Sequence, residues 1–182
     1  MILHRCLAWD RRARGSDAGG ALWVPRDYQG DGRHDNPGSY GCLYASEVAV
    51  ACVVEQLARF RGSVLVPGML RRRGLPLAIA TLALDGRPAL VDLDHPVVLR
   101  KRRLRPSLVA TRQREITQPQ ALAIHRSGGD GIRWWSTFES LWVNVTLFDR
   151  AVRRLRVLEI REAGLDVPAV RAACELLGIA PA

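Results

Sequence analysis

Cys42-Leu43-Tyr44-Ala45-Ser46-Glu47-Val48-Ala49-Val50-Ala51-Cys52-Val53-Val54-Glu55 passes from a strand into a helix without a proline or glycine. Cys42-Leu43-Tyr44 reads as a short strand, and Ser46 as the cap of a helix running to about Phe60, ended by Gly62. On that helix positions 48, 51, 52, 55 and 58 share one stripe, while 50, 53, 54 and 57 are Val, Val, Val and Leu. A helix apolar all round is expected to be buried, and this one carries Glu55 near its middle. An ionised carboxylate taken out of water costs several kcal/mol unless it is paired or hydrogen-bonded. Glu55 is therefore either half of a structural ion pair or a pocket carboxylate in a tuned environment.

Outward from this stretch, strand and helix patterns alternate without an internal repeat or an interdomain linker. Residues 2–9 read as a first strand, and 10–41 as a long irregular segment rich in Gly, Asp, Arg and Pro. Residues 76–84 and 88–93 look like two strands around the turn Asp85-Gly86. A basic, proline-punctuated segment follows, then a helix over 118–126 with Pro119 in its first turn. Ile132–Ser136, Trp142–Phe148 and Arg154–Ile160 read as strands. Asp166 is expected to cap a last helix whose buried stripe is Val170, Ala173, Cys174 and Leu177. The expectation is one α+β domain over residues 1–182.

Bulk properties agree with a folded domain. The chain has 182 residues, 48% apolar and 25% charged, enough to bury roughly 70% of its unfolded surface without a metal or disulfide staple. The longest aliphatic run, Val48–Val54, is seven residues against about 20 for a bilayer-spanning helix, and residues 1–7 do not read as a signal peptide. Four cysteines lie far apart with no Cys-x-x-Cys, so the expected compartment is the cytoplasm. The net charge of +9 comes from 26 arginines and one lysine against 18 carboxylates. Its clusters, Arg71-Arg72-Arg73 and Arg100 to Arg105, lack the aromatic interleaving of a nucleic-acid binder. They suit an acidic protein surface or a phosphate-bearing small molecule, or are simply solvated.

Few residues point to chemistry on their own. Arg33 beside Gly32 either grips a phosphate, as an arginine fork does, or sits in an exposed turn. Trp134-Trp135 puts one indole on each face of a strand, for core packing or for stacking on a base or nicotinamide. Asp92-x-Asp94-His95 suits a strand-end turn better than a metal, and no histidine has metal-ligand spacing. There is no Walker loop, no nucleophile elbow and no dinucleotide fingerprint.

Taken in order, several pieces resemble the RES domain, a bacterial toxin family. They are Gly32-Arg33-x-x-x-Pro37-Gly38, Leu43-Tyr44-Ala45-Ser46-Glu47, the helix with Glu55, Val91-Asp92-Leu93, Thr111-Arg112, Gly131-Ile132-x-Trp134-x-Ser136 and Asn144-x-x-Leu147-Phe148. Arg33, Tyr44 and Glu55 are separated by equal steps of eleven residues, as in the family.

The resemblance implies an ADP-ribosyltransferase-like core of twisted, mainly antiparallel sheets with flanking helices. It implies a toxin that consumes NAD as substrate, without a metal, by cleaving the nicotinamide–ribose bond through hydrolysis or phosphorolysis. Some members modify a protein instead, and a decayed, non-catalytic binding module is the reading from another class. The implied partner is an antitoxin protein with a DNA-binding domain, with room for a homodimer inside such a complex and no direct nucleic-acid or membrane contact.

Residue by residue, the resemblance makes Arg33 the phosphate and ribose anchor. Tyr44 becomes the ring stacked on nicotinamide, Glu55 the carboxylate at its ribose, and Ser136 a hydrogen-bonding group at the same end. Arg5 matches a further family arginine, and Trp134 stands where tyrosine is usual. His34-Asp35 replace a large aromatic followed by Asn, and an Asp35 turned toward a pyrophosphate would repel it.

Overall fold

The computed structural model of the chain describes residues 1–180 and divides into two compact units. One comprises Met1–Trp23, Ala45–Leu84 and the chain from Arg156 on; the other comprises Val24–Tyr44 and Asp85–Leu155.

The first unit is built on β1 (Ile2–Ala8) and β4 (Leu75–Leu84), antiparallel over seven positions from Ile2↔Ala83 to Ala8↔Leu77. β4 is apolar nearly throughout, and Leu77–Ala80 and Leu82–Leu84 are buried, as a strand covered on both faces requires. The two-residue β3 (Arg71–Arg72) and β8 (Leu155–Glu162) also pair with β4. Helix α1 (Ala49–Leu57) packs on β1 and on the last helix of the chain, α6 (Pro168–Leu177). The α6 stripe Val170, Ala173, Cys174 and Leu177 is buried, as its spacing predicts, each larger side chain contributing about 1.5–3 kcal/mol by leaving water.

In the second unit β7 (Val143–Phe148) runs antiparallel to β6 (Gly131–Trp135), and β5 (Leu90–Asp92) lies parallel to β6. Its core gathers Tyr40, Cys42, Leu93, Val109, Ile124, Ile132, Trp134 and Phe148. Helices α2 (Pro96–Arg102), α3 (Pro106–Ala110) and α4 (Arg114–Arg126) follow β5, and α5 (Asp149–Val152) follows β7. β2 (Cys42–Ser46) contributes residues to both units, and the hydrogen-bonded order is β3-β4-β1-β2-β7-β6-β5. The result is the expected mostly antiparallel sheet with flanking helices.

Four expectations need correction. β4 and β5 are not a hairpin: β4 pairs with β1, and β5 with β6. Pro88 interrupts a connection in which Asp85 N–H bonds Arg154 O, so no two-residue turn closes. Ser46 belongs to β2, and its hydroxyl accepts from Val48 N–H at 3.2 Å, so α1 starts at Ala49 and ends in a short 3-10 turn, Ala58–Phe60. α4 begins four residues before 118, leaving Pro119 inside it. Asp166 pairs with Arg161 at 2.8 Å instead of capping α6, which opens at Pro168. Among the described residues no helix is long and apolar enough to cross a membrane.

Candidate active site

The 30–36 loop of the second unit is held by side-chain hydrogen bonds to its backbone. Asp35 is only 4% exposed, and one carboxylate oxygen accepts from the backbone N–H of Gly30 at 2.9 Å and of Gly32 at 2.7 Å. Its other oxygen accepts from the Tyr44 hydroxyl at 2.6 Å. A Cβ at Gly32 would lie 2.5 Å from that carboxylate, so only glycine admits this fold-back. Asp35 is thus turned into its own loop, and the feared repulsion of a pyrophosphate does not follow from its position.

Helix α4 holds the loop from one side. Thr117 Oγ1 donates to Arg33 O at 2.6 Å, Arg114 Nε to Asp31 O at 2.7 Å, and Gln118 Nε2 to Gly30 O at 2.7 Å and Gly32 O at 3.0 Å. Asn36 Nδ2 donates to Gln118 O at 3.0 Å and to the Tyr40 hydroxyl at 2.8 Å. The backbone carbonyls of Gly30, Asp31, Gly32 and Arg33, which no strand or helix satisfies, thus find partners on α4.

Arg33 is buried. Its Nη1 donates to Val109 O at 2.8 Å and to Thr111 O, and its guanidinium lies 4.6 Å over the Trp134 ring. An arginine so placed gains both hydrogen bonds and a desolvated cation–π contact, worth on the order of 2 kcal/mol. His34, 3% exposed, stacks near-parallel to Tyr44 with centroids 6.4 Å apart and meets Trp134 edge-on at 5.5 Å. Its Nδ1 lies 2.8 Å from Thr146 Oγ1, which also accepts from Trp134 Nε1 at 3.2 Å. The backbone N–H of His34 donates to the Tyr44 hydroxyl at 2.9 Å. Burial, and then the charges of Arg33 and Arg114, draw the imidazole down to about 3, so it is neutral at pH 7. Tyr44, half-buried, is pushed well above the usual phenol range, first by burial and then by Cys42 and Asp35.

Ser136 is 2% exposed at the end of β6, where its N–H donates to Trp142 O at 2.7 Å and its Oγ accepts from Phe138 N–H at 3.1 Å. The second unit therefore brings Arg33, Tyr44, Trp134 and Ser136 into one body. Glu55 and Arg5 belong to the first unit. Glu55 is exposed, because only Ala51, Cys52, Val53, Val54 and Leu57 of α1 are buried. The expectation that α1 is covered all round is overturned, and with it the inference that Glu55 is a buried carboxylate. Arg5 Nη1 donates to Ala21 O at 2.7 Å, and burial lowers its guanidinium to about 10.

Nothing in the sequence marks His34 as a centre of packing or singles out Thr146, and Asn144 entered only within a family motif; Asn144 and Thr146 are buried on β7 opposite Trp134 and Ile132. Two polar residues at alternate positions of an otherwise apolar strand were the available signal. Asp92 pairs with Arg133 at 2.9 Å, and His95 Nδ1 accepts from Val97 N–H to cap α2, so that motif is a turn and a helix cap.

The RES domain family matches residues 3–169, and the chain belongs to it. No curated protein matches the sequence. Among solved structures, the chain is similar to one in the crystal structure of the M. tuberculosis MbcT–MbcA toxin–antitoxin complex. The TM-score is 0.67 at 16% identity, over 96% of this chain and 87% of that one. At that identity the likeness establishes the fold.

Proposed function

We propose that this chain is the toxin of a toxin–antitoxin pair, a single catalytic domain that cleaves the nicotinamide–ribose bond of NAD. Membership of the RES family supports the toxin and NAD readings, and the neighbour's complex supports an antitoxin partner. One structural observation carries the reading furthest. An arginine and two aromatic rings (Arg33, Tyr44 and Trp134) gather around a neutral His34, and the buried Ser136 directly follows the strand that carries Trp134. These are the group types that grip phosphates, stack on planar rings and orient an amide.

The chemistry suits this set. Breaking the nicotinamide–ribose bond builds positive charge on the sugar, as glycoside cleavage does. A carboxylate beside that charge lowers the barrier, a role we assign to Glu55. Nicotinamide leaves as a neutral ring, so no strong general acid is required. Water, inorganic phosphate or a protein side chain takes the ribosyl group, and the cytoplasm, where NAD is abundant, is the compartment we assign.

The test is NAD concentration over time with purified protein, with and without phosphate. Loss of NAD supports the reading, and phosphate dependence identifies phosphorolysis. A second reading, a non-catalytic module, is favoured by one observation: Arg33 Nη1 is already engaged with the carbonyls of Val109 and Thr111. It predicts neither NAD loss nor a thermal shift with NAD. Label transferred from NAD to macromolecules would instead identify a protein ADP-ribosyltransferase.

A further inference from the structure

The two arginine clusters look alike in sequence and differ in the fold. Arg71 donates from Nη2 to Gly74 O at 2.5 Å and Arg72 from Nη1 to Gln56 Oε1 at 3.2 Å, so these two arginines of the first cluster are engaged with their own turn and with helix α1. Among the described residues Arg100, Lys101, Arg102, Arg103 and Arg105 make no ion pair, and all but Arg102 are exposed. Arg100 lines a groove of about 630 Å³ in the second unit, and the other four follow it along the chain through the end of α2 and the turn into α3. Pro96, Leu99, Leu104, Pro106 and Trp135 give the groove an apolar floor, with Arg100, Asp94 and Ser140 at its polar edge. Asp94 is one carboxylate against five cations, because Asp92 is paired with Arg133.

Arg103 adds an independent observation. It ends α2 in the left-handed conformation, φ +56°, where Leu104 N–H bonds Leu99 O and Arg103 N–H bonds Arg100 O. Glycine is the residue that this cap favours, and an arginine there is strained. A cation kept at a position where it costs stability points to a use for its charge.

We propose that this groove docks an acidic, amphipathic segment of a protein partner, its apolar side chains against Leu99, Leu104 and Trp135 and its carboxylates toward the 100–105 cations. A small anion would use the charge and leave the apolar floor uncovered. Nucleic acid would use the charge and, at most, Trp135, the single aromatic ring lining the groove. The proposal does not depend on NAD chemistry, so the two stand or fall separately.

The experiment is selection of a random twelve-residue peptide library on the full chain, followed by fluorescence anisotropy with the selected peptides. The variants are Arg100→Glu and Arg103→Gly, with a twelve-nucleotide oligo-dT as the competing probe. The expected result is enrichment of peptides combining Asp or Glu with Leu, Phe or Trp, bound at least tenfold more weakly by Arg100→Glu. Arg103→Gly is the variant that separates charge from folding: it is expected to raise the melting temperature and still weaken the peptide severalfold. NAD turnover is measured on both variants and is expected to be unchanged. Peptides without acidic residues, or equal binding by the variants, would overturn the proposal. Preference for the oligonucleotide would also overturn it and identify the cluster as a nucleic-acid surface.

Discussion

At the scale of single residues, the loop around Arg33 is a chain of dependencies. Tyr44 donates to Asp35, Asp35 accepts from the loop amides, and His34 fills the space between Tyr44 and Trp134. Tyr44→Phe removes the hydrogen bond to the Asp35 carboxylate and the one accepted from His34 N–H, and keeps the ring, so we expect a loss of at least about 1.5–3 kcal/mol in urea denaturation. His34 makes the loop pH-sensitive. Its folded value of about 3 lies below the unfolded value of 6.5, so between these values the unfolded chain binds more protons. Stability from this residue is therefore complete above pH 6.5 and falls as pH drops toward 3, by up to about 1.4 kcal/mol per pH unit. Denaturation at pH 7 and pH 5 should show that loss, and His34→Gln should show a smaller one. Equal losses would mean that the imidazole is not the titrating group. None of this was legible in the sequence, which left open whether Asp35 faces a ligand or turns away; it proved to be a charge facing its own backbone. Only the backbone path around Gly32 decides between those two.

At the scale of elements, periodicity located most strands and the last helix, and failed where two forces compete. β5 is three residues long and parallel, a pairing made by a partner 41 residues on, which no local turn signal reports. α2 and α3 begin at Pro96 and Pro106, and prolines that looked like breaks are first-turn residues of helices. α1 misled in the other direction: its aliphatic run is buried, yet Glu55 emerges from it to solvent. Gly131 tests the geometry of the second sheet. A Cβ there would lie 2.4 Å from Thr146 O and 3.2 Å from Leu147 Cα, atoms of the neighbouring strand's backbone that cannot give way cheaply. Gly131→Ala is expected to cut the melting temperature sharply, and an unchanged melting curve would mean that the β6–β7 spacing is wrong. Thr117→Val, which removes the bond to Arg33 O, should cost about 1 kcal/mol in the same measurement.

At the scale of the whole molecule, the RES identity was legible because it rests on the order and spacing of small motifs, each unspecific alone. It covers residues 3–169. The excess of positive charge is a separate property, and its unpaired portion at 100–105 is the part that a partner would read. The central claim is catalysis on NAD with Glu55 as the essential carboxylate. Because Glu55 is exposed, Glu55→Gln should leave the melting temperature within about 2 °C, given that surface substitutions usually stay within about 0.5 kcal/mol. The most direct measurement is therefore NAD consumed by wild type and by Glu55→Gln side by side, with folding of both verified by thermal melting. The account predicts steady loss of NAD with the wild type and a rate at least a hundredfold lower with the variant. Equal rates in the two proteins would contradict it.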